Sequence, residues 1–250
     1  MRKHKYLRRE LRFFLFLKDE FCMKRWFTIL SIFLVFLSCK KQENAPTIDW
    51  RDYYPLEVGS SRLYDCESIK IDVLAGVNDT SRFLLQADVV GIISDTNGCV
   101  TYAINCKRKL KNSEEWTSYV SLSIQQYQHS IVRVEENVPY LILKFPAKKG
   151  FSWDVNAYNT GNEQLAHYSD ITEGEYEGVH IDSAATVLLQ DFKSLYTYQY
   201  DVEQYAKHYG LLYKQTIDVE SQPTQANIDL SKPIEDRITK GTILTIKRVI

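Results

Sequence analysis

From residue 82 onward, apolar and polar residues alternate with a period of two in short runs rich in Val, Ile, Thr, Tyr and Phe. Gly, Asn, Asp or Pro cuts these runs at short intervals. Such runs form strands with one dry and one wet face, and they leave little length for helices. The runs are Arg82–Ser94, Val100–Cys106, Trp116–Ile124, Ser130–Val134, Tyr140–Phe145, Thr186–Phe192, Leu195–Tyr200, Leu211–Val219 and Thr242–Ile250. Between the first two lies Asp95-Thr96-Asn97-Gly98, and Asn-Gly supplies the positive φ values of a tight hairpin. Glu135-Glu136-Asn137 and Lys148-Lys149-Gly150 mark two weaker turns. Helical signals are short: Val202–His208 ahead of Gly210, and Ser231–Lys240, where Ser231 is the cap and Pro233 fits the first turn. The expected fold is mainly β, an antiparallel sheet forming a sandwich or an open or closed barrel, with one or two short helices. No Pro/Gly/Ser-rich linker interrupts residues 49–250, so a single β-rich domain is expected.

The N-terminus has a different character. Trp26 to Ser38 reads WFTILSIFLVFLS without a charge, after Met23-Lys24-Arg25 and before Cys39-Lys40-Lys41. A membrane-spanning helix needs about 20 apolar residues, so this run has the length of a signal-peptide core. Phe36-Leu37-Ser38-Cys39 resembles the lipobox of bacterial lipoproteins, in which the Cys is diacylated and becomes the new N-terminus. That resemblance makes residues 1–38 a signal peptide, with 1–22 a mis-called start or a long basic region. It makes Cys39 the lipidation site and residues 39–48, in which KKQENAPT follows the Cys, a polar tether. Several acyl chains anchor a protein stably without spanning the bilayer. Lys40, rather than Asp, after the Cys implies the outer membrane.

Charge separates the two regions further. Residues 1–38 hold nine Lys/Arg and three acids, leaving 22 basic and 29 acidic residues beyond them. A body near −7 repels nucleic acid, so none is expected as a partner. Cys66, Cys99 and Cys106 remain once Cys39 is acylated. Cys99 and Cys106 sit seven apart in one strand, on opposite faces, so Cys66 with Cys106 is the one disulfide to consider beside three buried thiols.

Familiar catalytic signatures are missing. No GxSxG, CxxC or Gly-rich phosphate loop occurs, and the five His form no HxH, HxxxH or HExxH, so no metal, cofactor or catalytic set is assigned. Glu173, Glu175 and Glu177 share a face of EGEYEG, where they offer oxygens to a cation or form a solvated loop. Asp191 and Asp201 are candidates for a carboxylate pair. Tyr196, Tyr198 and Tyr200 align on one face and offer stacking surfaces with polar tips, either for a ligand or as a core-facing row. Asp182-Ser183-Ala184 is similar to the acceptor sequence of Bacteroidota O-glycosylation, which makes Ser183 a candidate glycosylation site.

Three longer motifs carry a family resemblance. Tyr53-Tyr54-Pro55-Leu56-Glu57-Val58-Gly59 with Tyr64, Lys149-Gly150-Phe151-Ser152-Trp153 and Tyr209-Gly210-Leu211-Leu212-Tyr213-Lys214 resemble the layout of uncharacterised Bacteroidota extracytoplasmic lipoproteins. The resemblance implies a mostly β, membrane-tethered protein and transfers no catalytic residue. The leading expectation is a lipid-anchored envelope protein, a non-enzymatic binding or accessory module for a glycan, lipid or envelope partner. The alternatives are a glycan hydrolase with a carboxylate pair, or a lipid-carrying half-barrel.

Overall fold

The computed structural model describes residues 50–221 and 229–250. The leader, the tether and Cys39 lie outside the described residues. Backbone contacts group the described residues into one compact unit.

Twelve strands build that unit: β1 (Ser61–Asp72), β2 (Val77–Thr96), β3 (Cys99–Leu110), β4 (Thr117–Gln126), β5 (Ser130–Glu135) and β6 (Val138–Lys144) form one meander. The second comprises β7 (Ser152–Asp154), β8 (Leu165–Tyr176), β9 (Val179–Lys193), β10 (Thr197–Ala206), β11 (Gly210–Glu220) and β12 (Lys240–Val249). An antiparallel β1–β12 ladder joins the meanders into one sheet with β6 and β7 at its ends. Those ends come together, since Leu141 N–H donates to Val155 O at 2.8 Å and Trp153 Nε1 donates to Leu141 O at 2.8 Å. The sheet is thus nearly closed into a barrel, with a seam between β6 and β7. Near-closure removes most of the unpaired edge that an open sheet exposes.

Turn chemistry sets these connections. Asn97 and Gly98 have φ of 55° and 75°, and Glu136 and Asn137 have 51° and 66°. Both pairs match the positive φ that strand twist demands of tight hairpins. The tip between β8 and β9 uses Glu177 and Gly178 in the same way, at 50° and 82°.

Every strand run expected from sequence lies largely within an observed strand, and β1, β7 and β8 are additional. The expected helix at Val202–His208 is corrected: Val202–Ala206 belongs to β10. Within Ser231–Lys240 only the 3-10 turn Ile234–Asp236 forms. The Cys66–Cys106 disulfide is also corrected, because both are free thiols on β1 and β3 with β2 between them. Two strand spacings amount to about 9.5 Å, beyond the roughly 7 Å that a disulfide spans. Burial pushes the Cys66 thiol up to about 12 and that of Cys106 up to about 11. They pack as small hydrophobes.

Side chains fill the interior. The main core joins Ile104, Ile124, Leu143, Trp153, Tyr168, Val187 and Tyr205, drawn from both meanders. Each such large apolar side chain contributes roughly 1.5–3 kcal/mol on burial. Trp153 and Tyr168 pack with ring centroids 4.8 Å apart beside the seam. A second cluster of Tyr64, Cys66 and Phe83 packs against Leu211 and Ile246.

Candidate functional site

Two arrangements stand out, one buried and one open. The buried one centres on Glu203 of β10, which has no exposed surface. Its Oε1 accepts from Lys214 Nζ on the neighbouring β11 at 2.7 Å, and from Arg133 Nη1 on the distant β5 at 3.2 Å. Its Oε2 accepts from the Tyr205 hydroxyl. Arg133 Nε also lies 2.7 Å from Glu135 Oε1. Burial alone would raise the Glu203 pKa, but Arg133 and then Lys214 hold it well below the usual carboxylate range. Arg133 and Glu203 therefore tie the two meanders together through the interior.

Asp201 sits two residues earlier on the same face of β10 and accepts from Thr216 Oγ1 at 3.3 Å. Burial raises its pKa against the pull of Lys214. Two carboxylates with pKa values pushed apart are what acid–base catalysis uses. Here, however, both lie on one strand, and Glu203 has both oxygens engaged by donors and no surface for a substrate. Its chemistry is that of a structural counter-ion.

The open arrangement lies at the seam. Asn137, Tyr140, Asn156, Asn159, Thr160 and Gln164 line a cleft of about 550 Å³ between the start of β6 and the loop after β7. Some of these amides shape the cleft. Asn159 Nδ2 donates to Pro139 O at 2.8 Å and to Asn156 Oδ1 at 2.9 Å, while Asn156 Nδ2 donates to Asn162 O at 2.6 Å. Asp154 Oδ1 holds the loop's two ends, accepting from Asn156 N–H at 3.0 Å and Gln164 N–H at 2.9 Å. The side chains of Asn137, Tyr140, Thr160 and Gln164 make no hydrogen bond to another described residue. No acid, Lys, Arg or His lines the cleft. It offers neutral donors and acceptors beside one aromatic ring.

Apart from Asp201, the residues singled out from sequence fall elsewhere. Tyr198 and Tyr200 lie on the face of β10 opposite Glu203 and Tyr205, half-buried, with ring centroids 6.2 Å apart and Lys193 Nζ 4.9 Å from the Tyr198 ring. Tyr196 precedes the strand and is exposed, so the three do not form one continuous row. Ser183 is half-buried, with Oγ 2.7 Å from the hydroxyl of Tyr53. Glu173 and Glu175 are exposed on β8 rather than in a loop, and Glu177 occupies its turn. Among the described residues no three His, Cys, Asp or Glu come together as a metal site. Asp191 is exposed near the end of β9.

Sequence reasoning flagged Asp201 but missed the Arg133–Glu203 pair and the cleft. Arg133 lies between Val132 and Val134, and Glu203 between Val202 and the Gln204-Tyr205-Ala206 run. A charge inside an apolar stretch was the available signal, but pairing β5 with β10 needs the strand order. The cleft amides belong to turns, where Asn is common for conformational reasons and carries no functional mark.

No family model and no curated protein matches this chain. Among solved structures it is similar to a protein described as a "putative lipoprotein" from Parabacteroides distasonis ATCC 8503. Identity is 9%, the TM-score is 0.35, and the match covers 78% of this chain and 96% of that one.

Proposed function

We propose that this chain is a lipid-anchored protein of the bacterial envelope, held at the outer membrane through acylated Cys39. Its barrel is a non-enzymatic binding module for a neutral glycan. The observation that carries this reading is the seam cleft: free amides, a hydroxyl and a tyrosine ring, with no carboxylate, Lys, Arg or His. Sugar hydroxyls both donate and accept, which amides match, and a sugar's apolar face stacks on an aromatic ring. The volume lies within the range usual for ligand sites. The filled interior disfavours the half-barrel lipid carrier, and the sealed Glu203 disfavours the hydrolase.

Two measurements test it. Fatty-acid labelling should mark the wild type and vanish in Cys39→Ala; label retained in the variant excludes the anchor. Calorimetric titration of the full-length protein with maltohexaose, cellohexaose and laminarihexaose should detect binding to at least one. The titration should lose that binding about tenfold or more in Tyr140→Ala and keep it in Tyr198→Ala. Loss confined to Tyr198→Ala moves the site to β10, and no binding in the whole panel overturns the glycan reading.

A further inference from the structure

Arg62 and Arg248 lie on one face of the β1–β12 ladder beside Tyr64, and no carboxylate among the described residues forms a salt bridge with either. Arg62 and Tyr64 share one face of β1, and Tyr64 lies directly opposite Arg248 in the β1–β12 ladder. Arg248 Cζ sits 5.3 Å from the centre of the Tyr64 ring, and Arg62 Cζ sits 5.6 Å from that of Tyr54. Arg62 extends across to Gly210 at the start of β11, where a Cβ would come within 3.7 Å of its guanidinium. Neither arginine is in a salt bridge with any described acid. Arg133 and Lys214 nearby do converge on Glu203.

Arg248 bears the cost of this arrangement. Its Nε and Nη1 are shielded from water and have no hydrogen-bond partner. Burial lowers its pKa and Arg62 lowers it further, against the opposing pull of Tyr64. A ring contact engages the flat face of a guanidinium, whereas its N–H donors lie in the plane and point outward at the edges. The ring contacts therefore leave Nε and Nη1 of Arg248 without an acceptor among the described residues. Buried donors without acceptors are rare in folded proteins and mark the place of a missing partner. Arg62 and Arg248 each keep part of their surface exposed.

We propose that Arg62 and Arg248 form a binding site for an oxyanion, the phosphate, sulfate or carboxylate group of a ligand. The group sits between the two guanidiniums, accepts their in-plane N–H donors and neutralises their mutual repulsion. This site shares no residue with the seam cleft and does not depend on the glycan reading.

The test is thermal unfolding of the full-length protein in detergent, with sodium phosphate, sulfate, acetate or chloride at matched ionic strength. At least one oxyanion should raise the Tm saturably by about 3 °C beyond chloride. A larger shift with phosphate or sulfate assigns a tetrahedral group, and a larger shift with acetate assigns a carboxylate. Arg62→Gln and Arg248→Gln should each abolish the difference from chloride. Equal shifts in all four salts overturn the proposal without any variant, and so does a full oxyanion shift surviving in both variants.

Discussion

A carboxylate with no exposed surface persists as an anion only where donors reach both its oxygens, and Glu203 has Lys214, Arg133 and Tyr205 for that purpose. Removing it strands two largely buried cations. Glu203→Gln should therefore cost about 3–5 kcal/mol at pH 7, measured by urea unfolding. The sign of the pH dependence follows from its lowered pKa. The Glu203 contribution is fully present above the ordinary glutamate value near 4.3 and is lost as pH falls toward the folded value. The decline is about 1.4 kcal/mol per pH unit. The gap between wild type and Glu203→Gln should accordingly shrink from pH 5 to pH 2, and a gap unchanged over that window contradicts the bridge. Asp201 has the opposite sign: its raised pKa adds stability at low pH that is lost as pH rises through the folded value.

Among the elements, β10 shows why alternation alone misleads. Val202, Tyr205 and Ala206 have the i, i+3, i+4 spacing of a helix face, yet they sit on a strand buried on both sides. Tyr205 packs into the main core while Ala206 packs into a separate cluster with Ile181 and Leu212. A strand with two dry faces has no polar alternation to display. The β8 strand escaped for another reason: irregularities between Tyr168 and Asp170 and between Thr172 and Gly174 break its register with β9, so the period of two is lost. The other runs kept one face wetter and were legible, as was the Asn97-Gly98 hairpin. Glycines at element ends can be ranked by what surrounds them. At Gly241 a Cβ would overlap the Asp218 carbonyl and Val219 Cα across the β11–β12 ladder, whereas at Gly178 it meets nothing. Both have positive φ, so Gly178→Ala should cost about 1–2 kcal/mol of conformational strain. Gly241→Ala should cost clearly more and loosen β12. Equal losses on urea unfolding would mean that the close approach at Gly241 is relieved by a backbone shift.

At the scale of the molecule, two six-stranded meanders share an interior occupied by apolar side chains, with Glu203 and Arg133 joining them across it. A barrel with a filled interior has its surface left for recognition. The seam is where that surface becomes concave, because β6 and β7 meet through a few hydrogen bonds instead of a full ladder. The loop beyond β7 is then folded by Asp154, Asn156 and Asn159 into a cleft wall. The proposed envelope address rests on the leader's sequence, whereas the cleft required two segments to be brought together by closure, which no local pattern encodes. Hydrogen–deuterium exchange of the full-length protein, with and without the oligosaccharide that binds it, tests this most directly. Slowed exchange should be confined to residues 137–140 and 156–164. Slowed exchange at 196–200 instead, or across strands facing the interior, would contradict a seam site on a filled barrel.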